Sequence, residues 1–74
     1  MKPQELVKIK NDFLESYKND LLESINDNFN NIPIFELIKD FVLYYIHENN
    51  LSMSNNDYEN ICRLIRIRLK VVYE

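Results

Sequence analysis

The chain has 74 residues, 46% of them hydrophobic, and a formal net charge of −3. This length predicts one small domain with a marginally stabilising core, and the single cysteine excludes a disulfide framework. The acidic balance argues against a general nucleic-acid binder. No apolar run is long enough to span a membrane and the first residues carry no apolar signal region, so we expect a cytoplasmic protein.

The residue usage carries a second signal. Eleven residues are asparagine, and glycine, alanine, threonine and tryptophan are all absent. This mixture follows A/T-rich codons. We interpret it as the mark of an A/T-rich genome, such as that of a low-GC bacterium, its phage or another mobile element, and not as a sign of function.

The first predicted helix covers residues 3–27. Pro3 suits the first turn of a helix. From Ile9 onward an apolar residue recurs at every fourth position as far as Phe29. Because this spacing exceeds the 3.6-residue turn, the apolar stripe drifts around the helix. One short partner helix therefore cannot cover the stripe from end to end.

A second helix is predicted over residues 33–49. An Asn- and Asp-rich segment ends just before Pro33, which can open a helix. Apolar residues then cover an arc of close to 200°. Asn49 and Asn50 end the helix, and in a chain without glycine only Asn or Asp readily takes a left-handed turn conformation.

The third helix is predicted over residues 54–73. Ser54 is the expected N-cap, with Asp57 three positions later, and Met53 and Tyr58 occupy the two positions of a hydrophobic staple. Residues 65–71 also alternate apolar and basic side chains, as a β-strand does. The alternative for residues 65–73 is therefore a strand, paired with the same segment of a second copy.

The third helix is apolar over most of its circumference. One face carries the expected core residues: Tyr58, Ile61, Cys62, Ile65, Leu69 and Val72. Leu64, Ile67 and Val71 form a second apolar face around Arg68, and Leu43 stands alone on the polar side of the second helix. Exposed apolar surface of this kind usually meets a partner. The predicted partner interface is therefore Leu43, Leu64, Ile67, Arg68 and Val71.

No pattern of residues predicts catalysis. The absence of glycine removes phosphate-binding loops and dinucleotide fingerprints, and one His and one Cys cannot build a zinc site. No window has calcium-loop spacing. His47 is interpreted as a favourable charge at a helix C-terminus and Cys62 as a buried apolar residue. We expect no enzyme activity, cofactor, metal or small-molecule substrate.

These observations predict an all-α three-helix bundle that is oligomeric. The predicted function is a small interaction or regulatory module that docks a helix face, as a homo-oligomer or as an adaptor or inhibitor of a larger protein. The alternative is a dimeric DNA-binding regulator that contacts the phosphate backbone through a basic ridge, Arg63, Arg66 and Lys70, on the third helix.

Overall fold

The computed structural model describes residues 1–27 and 33–73, with side chains as far as residue 69. Three α-helices account for nearly all of them: α1 (Pro3–Asp27), α2 (Ile34–Glu48) and α3 (Asn55–Tyr73). The predicted all-α, three-helix class is confirmed, with each helix boundary within a residue of its prediction. Phe29 and the rest of residues 28–32 fall outside this description, as does the side chain of Val72.

The strand alternative for residues 65–73 is wrong, because α3 continues through them. In a strand, Ile65, Ile67 and Leu69 would share one face. Instead Ile65 and Leu69 lie in the core, while Ile67 is 62% exposed. Burial at every fourth residue is the periodicity of a helix, and the pull of the core outweighs the local preference of Ile and Val for strands.

The first turn of α3 is held by the predicted cap. The backbone N–H of Asp57 donates to Oγ of Ser54 at 3.2 Å. Met53 and Tyr58 are both partly buried and pack against the core, as a hydrophobic staple does. Oδ2 of Asp57 lies 3.3 Å from the backbone nitrogen of Met1. The start of α3 is thus fixed by its own cap and tied to the start of α1.

Ser54→Ala is expected to lower the free energy of unfolding by about 1 kcal/mol, because one N–H in the first turn of α3 loses its acceptor. Urea or thermal unfolding followed by circular dichroism measures the change. Ser52→Ala is the matched control, since Ser52 is exposed and lies before the helix. Equal midpoints for the two variants would show that the cap does not stabilise the helix.

The turn between α2 and α3 closes with a Schellman motif. The N–H of Leu51 donates to the carbonyl of Ile46 at 3.0 Å, and the N–H of Asn50 donates to the carbonyl of His47 at 3.2 Å. Asn50 has a φ of 51°, in the left-handed region that glycine usually fills at this position. The asparagine therefore replaces the missing glycine and lets α3 fold back along α2.

Contacts along the helices give their directions. The contact between Met1 and Asp57 places the start of α1 beside the start of α3, so these two helices run parallel. The ring of Tyr45 lies edge-on to those of Phe13 and Tyr17, with centroids 5.6 and 5.8 Å apart. Because α2 and α3 are joined by a short turn, α2 runs antiparallel to both. The molecule measures 34 × 23 × 20 Å.

All three helices contribute to one core. Its buried members are Leu6, Phe13, Leu21, Ile25, Leu37, Ile38, Val42, Tyr45, Ile61, Cys62, Ile65 and Leu69. Four of the six residues predicted for the α3 core face are in this set. Tyr58 is only partly buried, and the side chain of Val72 lies outside the described residues. In the described part of the chain, no helix combines the length and the apolar character needed to cross a membrane.

Candidate functional site

The second apolar face of α3 is narrower than the sequence predicts. Ile67 is 62% exposed, more than any other large apolar side chain that the structure describes, and Arg68, the next residue, is also exposed. Leu64 is partly buried, because its side chain packs against the core. The side chain of Val71 lies outside the described residues. Among the predicted residues on α3, Ile67 is therefore the main free apolar contact.

Helix α1 adds an apolar residue that the sequence analysis did not single out. Val7 is 43% exposed. It follows Met1 by six positions and Leu64 follows Asp57 by seven, so both lie about 10 Å from the paired starts of α1 and α3 at 1.5 Å per residue. Val7 on α1 and Leu64 and Ile67 on α3 are here together called the α1–α3 face.

The apolar residues of the α1–α3 face have basic neighbours. On a helix, residues three or four positions apart lie side by side. Lys10 accompanies Val7, Arg63 accompanies Ile67, and Arg68 accompanies Leu64. The two arginines are exposed and Lys10 is partly exposed. Each apolar residue of the α1–α3 face therefore has a basic side chain next to it on the same helix.

Leu43 does not join the α1–α3 face. It is 54% exposed and lines a shallow groove with Ile46, His47, Asn50 and Leu51 at the α2–α3 turn. Ile67 lies 12 positions after Asn55, about 18 Å along α3 from that turn. The structure thus separates Leu43 from the other predicted interface residues.

The basic ridge of α3 is also divided. Arg63 is exposed, whereas the guanidinium carbon of Arg66 lies 5.4 Å from the ring centroid of Phe35. Nζ of Lys39 lies 5.3 Å from the same ring, so α2 and α3 share a cation–π cluster here. The side chain of Lys70 is outside the described residues. Arg63 and Arg66 therefore have different surroundings: the first is solvated and the second is stacked.

A groove between α1 and α2 was not predicted. Tyr17, Asp20, Asp40, Phe41 and Tyr44 line it, around a volume of about 440 Å³. The rings of Tyr17 and Tyr44 meet edge to face with centroids 6.1 Å apart. Tyr44 is 55% exposed, so a large part of its ring is open to a partner. We call this surface the acidic groove.

The charges around the acidic groove all have one sign. Asp20 and Asp40 are exposed, and neither forms an ion pair with any other residue in the described segments. The pKa of Tyr44 is raised mainly by the negative charge of Glu48 and secondly by a hydrogen bond to Glu48. The pKa of the neighbouring Tyr45, which is buried, is raised mainly by that burial and secondly by the negative charge of Asp12. The charged groups that line this groove and raise the pKa values of its tyrosines are therefore acidic.

A signal for this groove is present in the sequence. Asp20 follows Tyr17 by three positions and Tyr44 follows Asp40 by four, so each helix presents a tyrosine and a carboxylate as neighbours. The two pairs become recognisable as one surface only once α1 and α2 are known to be antiparallel neighbours.

The remaining titratable groups of interest lie inside the bundle. The hydroxyl of Tyr58 donates to the carbonyl of Lys39 at 3.0 Å, and burial raises its pKa to about 12. Burial likewise raises the pKa of the Cys62 thiol to about 11. At neutral pH this thiol is protonated and covered, which favours the predicted packing role over a nucleophilic one.

Metal ligation finds little support in the geometry. Over the segments that the structure describes, no three side chains of His, Cys, Asp or Glu lie close enough to hold a metal ion. The two surfaces that stand out are the α1–α3 face, which is apolar and basic, and the acidic groove, which is aromatic. No protein-family model, curated protein or solved structure matches the chain.

Proposed function

We propose that the protein is a small non-enzymatic interaction module that docks on another protein surface through the α1–α3 face. The observation that carries the proposal is the exposure of Ile67, at 62%, on a helix whose other face already supplies the core. Because most of the Ile67 side chain is in water, it adds little apolar burial to the core of one copy. Together with Val7 and Leu64 it offers apolar surface that leaves water when a partner binds.

The basic residues next to these apolar side chains determine which kind of partner binds. Arg63, Arg68 and Lys10 place positive charge around the apolar residues. A partner with an apolar patch and acidic neighbours pairs with these cations, whereas another basic surface is repelled. The proposed mechanism is therefore occupancy of an acidic protein surface by a rigid helix pair, as an assembly of copies or on a larger protein.

Photo-crosslinking tests this function in cells that naturally make the protein. We expect a benzophenone side chain at position 67 to give discrete adducts, because that side chain lies within the docked surface. The same group at position 43 is the matched control, since Leu43 is similarly exposed but lies on α2, in the groove at the α2–α3 turn. An adduct of twice the 9.0 kDa chain mass identifies a second copy, and a larger adduct identifies another protein. No adduct at position 67, or equal adducts at both positions, would overturn the proposal.

Ile67→Asp is expected to abolish that association while leaving the fold intact, because the carboxylate stays in water in the free protein and is desolvated in the complex. Circular dichroism should show unchanged helical content and a melting midpoint close to that of the unmodified chain. Pull-down of the crosslinked partner should fall at least about tenfold, the effect of roughly 1.4 kcal/mol. Leu43→Asp should leave the pull-down unchanged. Unfolding by Ile67→Asp would instead make Ile67 part of the core.

The DNA-binding alternative stays a prediction. It requires the basic ridge to act as a unit, and Arg66 already stacks on Phe35 while Arg63 does not. The carboxylates of the acidic groove add a negative potential that opposes approach to phosphates. We therefore place DNA binding second to protein docking.

A further inference from the structure

We infer that the acidic groove of one copy receives the α1–α3 face of a second copy, with the guanidinium of Arg63 between the aromatic rings and the carboxylates. This inference rests on the proposed docking function and deepens it by naming the partner surface. The groove lies between α1 and α2, whereas Arg63 and Ile67 are exposed on α3. The chain thus carries both halves of one contact.

The groove has the chemistry of a cation site. Three aromatic rings form its walls, and the ring of Tyr44 is more than half exposed. Asp20 and Asp40, one from each helix, place two carboxylates in the same groove without a cation from the described residues. A guanidinium stacks on an aromatic face and pairs with a carboxylate through the same planar group. Arginine therefore satisfies the groove better than lysine or an apolar group alone.

The α1–α3 face presents a matching pair of side chains. Arg63 and Ile67 are four positions apart on α3 and both are exposed, so they project side by side. When Arg63 meets the carboxylates, Ile67 is placed next to it, where the exposed ring of Tyr44 offers apolar surface. Charge and apolar contact are thus satisfied together, which is the arrangement of a protein interface with a buried centre and a polar rim.

Charge decides between this contact and a two-fold one. If the α1–α3 face paired with itself, Arg63, Arg68 and Lys10 would each meet a surface bordered by the same cations, and like charges across an interface are repelled. Pairing of the face with the acidic groove brings opposite charges together. Such a contact joins two different patches, so each bound copy still offers one free groove and one free face, and assembly continues beyond two copies unless it closes into a ring.

Two pairs of neutral variants test the contact in the full-length chain. Asp20→Asn with Asp40→Asn removes the charge of the groove, and Arg63→Gln with Arg68→Gln removes that of the face. All four residues are exposed, so both double variants should fold, as circular dichroism will show. In sedimentation experiments the unmodified chain should assemble beyond two copies as its concentration rises, and salt should weaken this assembly. Each double variant alone should associate about tenfold more weakly, since each loses two charge pairs.

Mixing the two double variants is the decisive measurement. The mixture contains one intact face and one intact groove, so we expect it to regain association but to stop at a 1:1 complex. Glu15→Gln, an exposed change outside both surfaces, should assemble like the unmodified chain. A mixture that fails to associate, or an unmodified chain that stays at 9.0 kDa at every concentration, would overturn the inference. So would a symmetric dimer insensitive to the groove variant, or a position-67 adduct with a different protein only, although both of these leave the proposed docking function standing.

Discussion

Phe13→Ala is expected to cost about 3–5 kcal/mol of unfolding free energy, enough to leave much of the chain unfolded at 37 °C. The ring of Phe13 is fully buried and touches those of Tyr17 and Tyr45, both at centroid distances of 5.6 Å. Truncation leaves a cavity at the point where α1 meets α2. Domains of this size have total stabilities of roughly 4–11 kcal/mol at about 0.05–0.15 kcal/mol per residue. The substitution therefore removes a large part of the free energy of unfolding.

Urea unfolding followed by circular dichroism measures the loss. Phe35→Ala is the matched control, because Phe35 is only partly buried and packs at the edge of the core beside Lys39 and Arg66. We expect that variant to lose about 1–2 kcal/mol, from a smaller transfer of apolar area and the loss of cation–π contact. Equal costs for the two variants would mean that Phe13 is not at the centre of the core.

The helices were predictable because each local signal agrees with the packing. Ser54 caps α3 as its position implies, Pro3 begins α1, and Asn50 takes the left-handed conformation that the glycine-free turn requires. Strand-like alternation in residues 65–71 was the one conflicting signal. The segment is helical and not a strand because Ile65 and Leu69 pack in a core formed by the rest of α3 and by the other two helices.

The surfaces were only partly predictable, since each is assembled from two helices. The rotation of α3 alone identifies Ile67 as a residue outside the core. It does not reveal that Val7 of α1 is exposed, or that Leu64 is partly buried against the core. The acidic groove needs the same information, because Tyr17 and Tyr44 come together only when the register of α1 against α2 is known. Directions and registers of helices are tertiary properties that periodicity does not encode.

Raising the pH above about 9 is expected to destabilise the fold progressively, through two groups that hydrogen-bond inside the bundle. Burial raises the pKa of Tyr58 from 10.0 to about 12 and that of Cys62 from 9.0 to about 11. In the unfolded chain both groups ionise near their ordinary values. Between about pH 9 and pH 12 the unfolded state therefore binds fewer protons than the folded state, and stability falls as pH rises.

The loss should reach roughly 3 kcal/mol by about pH 12. Each two-unit shift corresponds to about 2–3 kcal/mol at 1.36 kcal/mol per unit, and the sum is reduced because Tyr58 is only partly buried and is screened by solvent. Urea unfolding at a series of alkaline pH values measures this slope. The double variant Tyr58→Phe with Cys62→Ala is less stable at pH 7 but should lose much less stability on going to high pH. If its slope equals that of the unmodified chain, the alkaline instability arises elsewhere, and Tyr58 and Cys62 are not the groups whose burial the folded state protects.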